Sequence, residues 1–203
     1  MSDDRVATIA LAGQPNVGKS TVFNLLTGLS QHVGNWPGKT VERRTGAFEH
    51  DGVPINIVDL PGTYSLTAAS PEEVIARDYI IRQKPDVVLV VINAASLERN
   101  LYLVGELLAL PSPLVIGLNM MDVAEQEGFE IQPQVLSAAL GVPVVPMIAT
   151  RNEGVREFID AALEVFRDGP QREPNGPKVR EDHREPLSRM QTIIDGFVPQ
   201  PYP

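Results

Sequence analysis

Eight residues near the amino terminus, Gly13-Gln14-Pro15-Asn16-Val17-Gly18-Lys19-Ser20, fit the pattern G-x-x-x-x-G-K-[ST]. At that spacing a backbone loop can wrap a phosphate. Gly13 and Gly18 permit the tight path, and the N–H groups from Asn16 through Thr21 are expected to point at an anion on a helix N-terminus. Lys19 is expected to reach the β- and γ-phosphates and the Ser20 hydroxyl to ligate Mg²⁺. Two further groups fall after apolar runs. Asp59-Leu60-Pro61-Gly62 comes about 40 residues after Lys19; its Asp59 can hold the Mg²⁺ water shell and the Gly62 N–H can meet the γ-phosphate. In Asn119-Met120-Met121-Asp122 the Asp122 carboxylate can accept two hydrogen bonds from guanine N1–H and its exocyclic amine. Adenine offers no such pair, so GTP is the expected ligand over ATP.

These groups need a frame. Apolar strand-like runs recur at 6–12, 53–58, 87–92, 114–118 and 142–147, with helix-like patterns between most of them, the alternation of an α/β protein with a mostly parallel sheet. Val87-Val-Leu-Val-Val-Ile reads as a central strand buried on both faces. Thr45 to His50, the pair Asp51-Gly52 and Val53 to Val58 read as a hairpin, which makes one edge antiparallel. Ser70-Pro71-Glu72-Glu73 is a helix start with Glu73 bonding back to the cap, and that helix should run to about Gln83. Further helices are expected at 97–110, 133–140 and 154–167. The G domain is thus placed at 1–168. Gly, Pro and charge mark 169–186 as a linker, and 187–198 has the pattern of one short amphipathic helix in a tail too small for a second domain.

With 203 residues and 43% apolar content the chain can bury one core, and it contains no cysteine for a disulfide or thiolate site. No apolar run is long enough to span a bilayer. A net charge of -9 argues against nucleic acid as partner. Three scattered histidines suggest no metal-ligand cluster, and His32 reads as a solvated loop residue.

The order of loop, threonine, aspartate and Asn-x-x-Asp resembles the Ras-like GTPase superfamily over nearly all of residues 5–167. By that resemblance Thr40 is the switch threonine that coordinates Mg²⁺ and covers the γ-phosphate, and Ile148-Ala149-Thr150 is the loop whose N–H groups contact the guanine oxygen. Val33-Gly34-Asn35-Trp36-Pro37-Gly38-Lys39-Thr40-Val41-Glu42, with Asp59-Leu-Pro-Gly-Thr-Tyr-Ser-Leu and Asn119-Met-Met-Asp, resembles more closely the N-terminal cytosolic G domain of bacterial ferrous-iron transport protein B. That resemblance implies a P-loop NTPase fold, GTP/GDP and Mg²⁺ as ligands, and a K⁺ ion held by Asn16 in the role of an arginine finger. It also implies attachment, in a longer polypeptide, to a transport region in the cytoplasmic membrane.

Two departures stand out. Met120 replaces the superfamily's usual lysine, supplying packing without charge. Thr63 stands where many relatives place a water-orienting glutamine, so slow hydrolysis is expected, with catalysis resting on Lys19, Thr40, Gly62 and Asn16 rather than on a strong general base. Trp36, among Pro37 and glycines, is assigned to a mobile loop. Self-association through the tail, a regulatory module with negligible turnover, and a soluble GTPase of ribosome or tRNA biology remain as other readings.

Overall fold

The computed structural model describes residues 5–168; the expected linker and tail helix lie outside them. Seven strands form one sheet: β1 (Ala7–Gly13), β2 (Gln31–Asn35), β3 (Glu42–His50), β4 (Val53–Asp59), β5 (Val87–Asn93), β6 (Leu114–Asn119) and β7 (Val144–Pro146). Their spatial order is β2-β3-β4-β1-β5-β6-β7. From β4 to β7 every pairing is parallel. β3 runs against both of its neighbours, so the expected antiparallel edge consists of β3 with β2 beyond it.

Alternation along the strands divides the core in two. Val88, Val90 and Ile92 of β5 face one layer, whereas Val87, Leu89 and Val91 face the other, as expected of a strand buried on both faces. The first layer packs against α2 (Pro71–Gln83), α3 (Leu97–Leu108) and α5 (Pro133–Leu140), through Ile80, Leu101, Val104 and Leu136. The second packs against α1 (Lys19–Thr27) and α6 (Val155–Asp168), through Phe23, Phe158, Ile159 and Leu163. The remaining helix, α4 (Met121–Gln126), is a short one that the sequence did not suggest.

Trp36 departs from the expected mobile loop. It is 8% exposed, meets Tyr79 of α2 edge-on at 5.6 Å, and lies under the Arg43 guanidinium at 5.0 Å. Its backbone N–H donates to the Val41 carbonyl at 2.9 Å, and the Lys39 N–H donates back to the Trp36 carbonyl at 2.9 Å. Indole burial therefore pins both ends of a short turn, and only the residues between them project.

α2 begins where expected, with the Glu73 N–H donating to Ser70 Oγ at 3.2 Å. The Glu73 carboxylate reaches one residue further back than foreseen, accepting the Ala69 N–H at 2.8 Å and the Ser65 hydroxyl at 3.0 Å. These bonds, the Ala69 N–H foremost, hold its carboxyl below the ordinary value of 4.5. A lowered carboxylate contributes stability that is present above the unfolded-state pKa and lost as pH falls through the folded one. Glu73→Gln is expected to cost only a few tenths of a kcal/mol at neutral pH, since solvent screens this carboxylate, and acid titration of unfolding should be shallower in the variant below pH 4.5. Gly154, at φ 77°, leads into α6, and an added Cβ would collide with the Pro146 carbonyl. Gly154→Ala should therefore lose about 2–4 kcal/mol in urea unfolding.

Candidate functional site

Parallel strands deliver their carboxyl ends to one edge of the sheet, the edge at which open α/β sheets bind ligands. β1 ends in Gly13, β4 in Asp59 and β6 in Asn119, so all three sequence groups converge there. The phosphate loop leaves β1 and enters α1 through Gly18 at φ 90°. Here a side chain is impossible, because a Cβ would overlap the Asn119 amide nitrogen. Asn16 occupies the exposed tip of the loop at φ 64°, with Val17 buried beneath it. Ser20 is exposed at the start of α1, and Thr21 is half-buried beside it.

Asn119 is 3% exposed. Its Nδ2 donates to the Val17 carbonyl at 2.9 Å, and its Oδ1 accepts the Ala149 N–H at 2.9 Å. The residue that the sequence placed against guanine thus ties the phosphate loop to the loop after β7. Met120 follows at φ 62°, a left-handed turn that starts α4 and sets Asp122 in its first turn. A cavity of about 190 Å³ opens beside this tie, lined by Gly18, Thr21, Asp122, Ile148, Ala149 and Thr150 together with the Asn119-Met120 turn. Arg151 lies 3.5 Å from Asp122 Oδ2, a neighbour the sequence did not suggest. The cavity combines a carboxylate with backbone N–H groups at one end and leads to the phosphate loop at the other. Those features fit a purine nucleotide.

At the phosphate end, Lys19 is nearly buried and pairs with Asp59, also donating to the Leu60 carbonyl at 2.7 Å. Burial pushes the Asp59 carboxyl above its ordinary value of 3.8, against the opposing pull of Lys19. Ser20 and Asp59 supply hard oxygen donors of the kind that Mg²⁺ takes. Gly62 packs on the loop, where a Cβ would stand 3.3 Å from the Pro15 nitrogen, and the Thr63 N–H donates to the Gly13 carbonyl at 3.2 Å. Thr63 is 5% exposed. The exception to this convergence is Thr40, exposed in the turn after Trp36, with no hydrogen bond to the phosphate loop.

A second cavity, about 350 Å³, lies behind the Asp59-to-Gly62 segment between Tyr64 and α3. Gln14 is buried there, donating to the Arg99 carbonyl at 2.7 Å. The Arg99 guanidinium covers the Tyr64 ring at 4.4 Å, and Glu106 accepts the Leu66 N–H at 2.7 Å. Gln14 and Arg99 were invisible as site residues, since their partnership spans 85 positions. His50, Asp51 and Asp160 also come together, one donor atom from each lying within 4.8 Å of the others, a convergence that the spacing of the histidines did not suggest.

The family profile described as "Ferrous iron transport protein B" matches residues 7–162. The Fe(2+) transporter FeoB of Escherichia coli (strain K12) is 46% identical over 164 residues, which are 79% of this chain and 21% of that protein. The Salmonella typhimurium transporter of the same name is 49% identical over 152 residues, 73% of this chain and 20% of the relative. The chain thus spans about a fifth of the length of these relatives. Among solved structures, the G domain of the T. maritima FeoB iron transporter superposes with a TM-score of 0.74 at 41% identity, covering 79% of this chain and 98% of that one. An S. thermophilus NFeoB mutant bound to GDP gives 0.74 at 46% identity, with 78% and 60% covered. With its P-loop, its seven-stranded sheet and these likenesses, the chain belongs to the ferrous iron transport protein B family and corresponds to its G domain.

Proposed function

We propose that this chain binds GTP with Mg²⁺ and hydrolyses it slowly under K⁺ stimulation, and that the cycle switches ferrous iron uptake through a membrane region of a longer polypeptide. The observation that carries the reading is the Asn119 tie, which sets the phosphate loop and the Asp122 cavity in one rigid relation. The solved S. thermophilus relative is described as bound to GDP, which supports guanine as the base. Iron as cargo and placement at the cytoplasmic face of the membrane come from family membership.

In this reading Asp122 selects guanine through paired hydrogen bonds, while the Thr150 N–H, next to the Ala149 N–H already held by Asn119 Oδ1, takes the base oxygen. Backbone from Gly13 to Thr21 cradles the phosphates. Lys19 leaves Asp59 and the Leu60 carbonyl for the β- and γ-phosphates, which frees Asp59 to join Ser20 as an oxygen donor for Mg²⁺. Asn16 presents its amide oxygen from the loop tip to K⁺. Bound Mg²⁺ and K⁺ supply positive charge where phosphoryl transfer accumulates negative charge. In the same reading the Gly62 N–H meets the γ-phosphate from a segment that packs on Pro15, and Thr40 moves inward with its turn. Loss of the γ-phosphate would release Thr40 and Gly62, which is the switch.

Thr63 favours a second reading, a nucleotide-holding module with negligible turnover. Its side chain is buried and its N–H is committed to the Gly13 carbonyl, so it offers no side-chain amide to a water. Steady-state phosphate release with Mg²⁺, in KCl against NaCl and with ATP as control, separates the two. GTP-selective turnover that is faster in KCl is expected; binding without turnover in either salt would leave the module. Asn16→Ala should bring the KCl rate down to the NaCl rate while changing GDP affinity less than tenfold. Asp122→Ala should erase the preference for GTP over ATP, weakening GDP binding by about 2–3 kcal/mol, the cost of two lost charge-assisted hydrogen bonds discounted for partial solvation.

A further inference from the structure

At the opposite end of the sheet, the β3–β4 turn brings His50 and Asp51 against Asp160 of α6. His50 Nε2 is 2.6 Å from Asp160 Oδ1 and 3.9 Å from Asp51 Oδ2, and one donor atom from each residue lies within 4.8 Å of the others. β4 is seven residues long and ends in Asp59, so about 20 Å of strand separates this group from the phosphate end. It is independent of any Mg²⁺ bound with nucleotide.

Each carboxylate divides its oxygens. Asp51 Oδ2 and Asp160 Oδ1 face the imidazole, whereas Asp51 Oδ1 and Asp160 Oδ2 face Arg156 at 3.5 and 3.9 Å. An ordinary surface network would need only the ion pairs. Here the guanidinium stays on the side of the outer oxygens, and the inner oxygens converge on one ring nitrogen. Metal bonds of about 2.0–2.2 Å separate neighbouring donors by about 3–3.5 Å, and the observed 2.6 and 3.9 Å bracket that spacing. Shifts below about 1 Å, in side chains that retain exposure, would close it.

The backbone supports the arrangement. Asp51 and Gly52 take φ of 46° and 77°, a two-residue hairpin turn that fixes Asp51 next to His50. Asp160 is held on a helix whose neighbours Ile159 and Leu163 are buried. We propose that His50, Asp51 and Asp160 form a binding site for a first-row divalent transition metal. One imidazole with two carboxylates, completed by water on the exposed side, favours ions of the Fe²⁺, Co²⁺ and Zn²⁺ type over Mg²⁺.

Titration of the metal-free chain with Co²⁺, without nucleotide, tests the site through the visible d–d absorption. One saturable equivalent is expected, displaced by Zn²⁺ and insensitive to millimolar Mg²⁺. His50→Ala and Asp160→Asn should each weaken Co²⁺ binding at least tenfold, with GDP affinity unchanged as the control for folding. Asp51→Asn, at an exposed turn, provides the third variant should either of the others fail to fold. His32→Ala should leave the absorption intact. Absence of saturable absorption, or absorption that survives the His50, Asp51 and Asp160 substitutions, would overturn the proposal.

Discussion

One buried amide governs the geometry of the nucleotide edge. Asn119 has no charge and little exposed surface, yet it joins a loop that begins the fold to one that nearly ends it. The phosphate loop has no regular structure to define its path and the loop after β7 has only the 3₁₀ turn Ala149–Arg151, and a buried backbone carbonyl or N–H without a partner is costly. Asn119 satisfies one of each. Because Gly18 lets the phosphate loop touch this amide directly, the separation between phosphate and base regions is fixed by van der Waals contact rather than by a flexible linker.

The electrostatics beside this tie are arranged differently. Lys19 and Asp59 neutralise each other in a nearly buried position, and the carboxyl is still driven upward by burial. Removing either partner would strand a charge in a poorly solvated place, so these residues are committed to each other until something charged replaces a partner. The segment after Asp59 is fastened at several points: Leu60 to Leu11, Thr63 to Gly13, Leu66 to Glu106 and Tyr64 beneath Arg99. The Gln14 bond to the Arg99 carbonyl then makes α3 a backing for both the phosphate loop and the following switch segment. These contacts join the segment around Gly62 to α3 by a route outside the hydrophobic core.

Much of this was legible in the residue order. The phosphate loop, the Ser70-Pro71 helix start, the doubly buried β5 and the placement of Asn119 and Asp122 after a strand all follow from local pattern, because each rests on neighbours within a few positions. What escaped is non-local or too short to show a period. β2, from Gln31 to Asn35, is polar and mostly exposed, so no alternation marks it; pairing with β3 defines it. α4 has six residues, fewer than two turns. Trp36 reads as a loop residue among glycines until Tyr79 from α2 covers it. The tie that Asn119 makes escaped for a related reason: its motif sets it at the end of a strand, but its two partners lie far away in the chain.

The wiring of β1 carries a consequence for biosynthesis. Its neighbours, β4 and β5, are both translated after it, and the Val17 carbonyl waits for Asn119, 102 positions later. Synthesis runs amino terminus first, so the phosphate loop is made well before the residue that fixes its path. Such distant pairings slow folding, and the final geometry of the loop is thereby made a late event in maturation, coupled to arrival of the segments that carry Asn119 and Ala149.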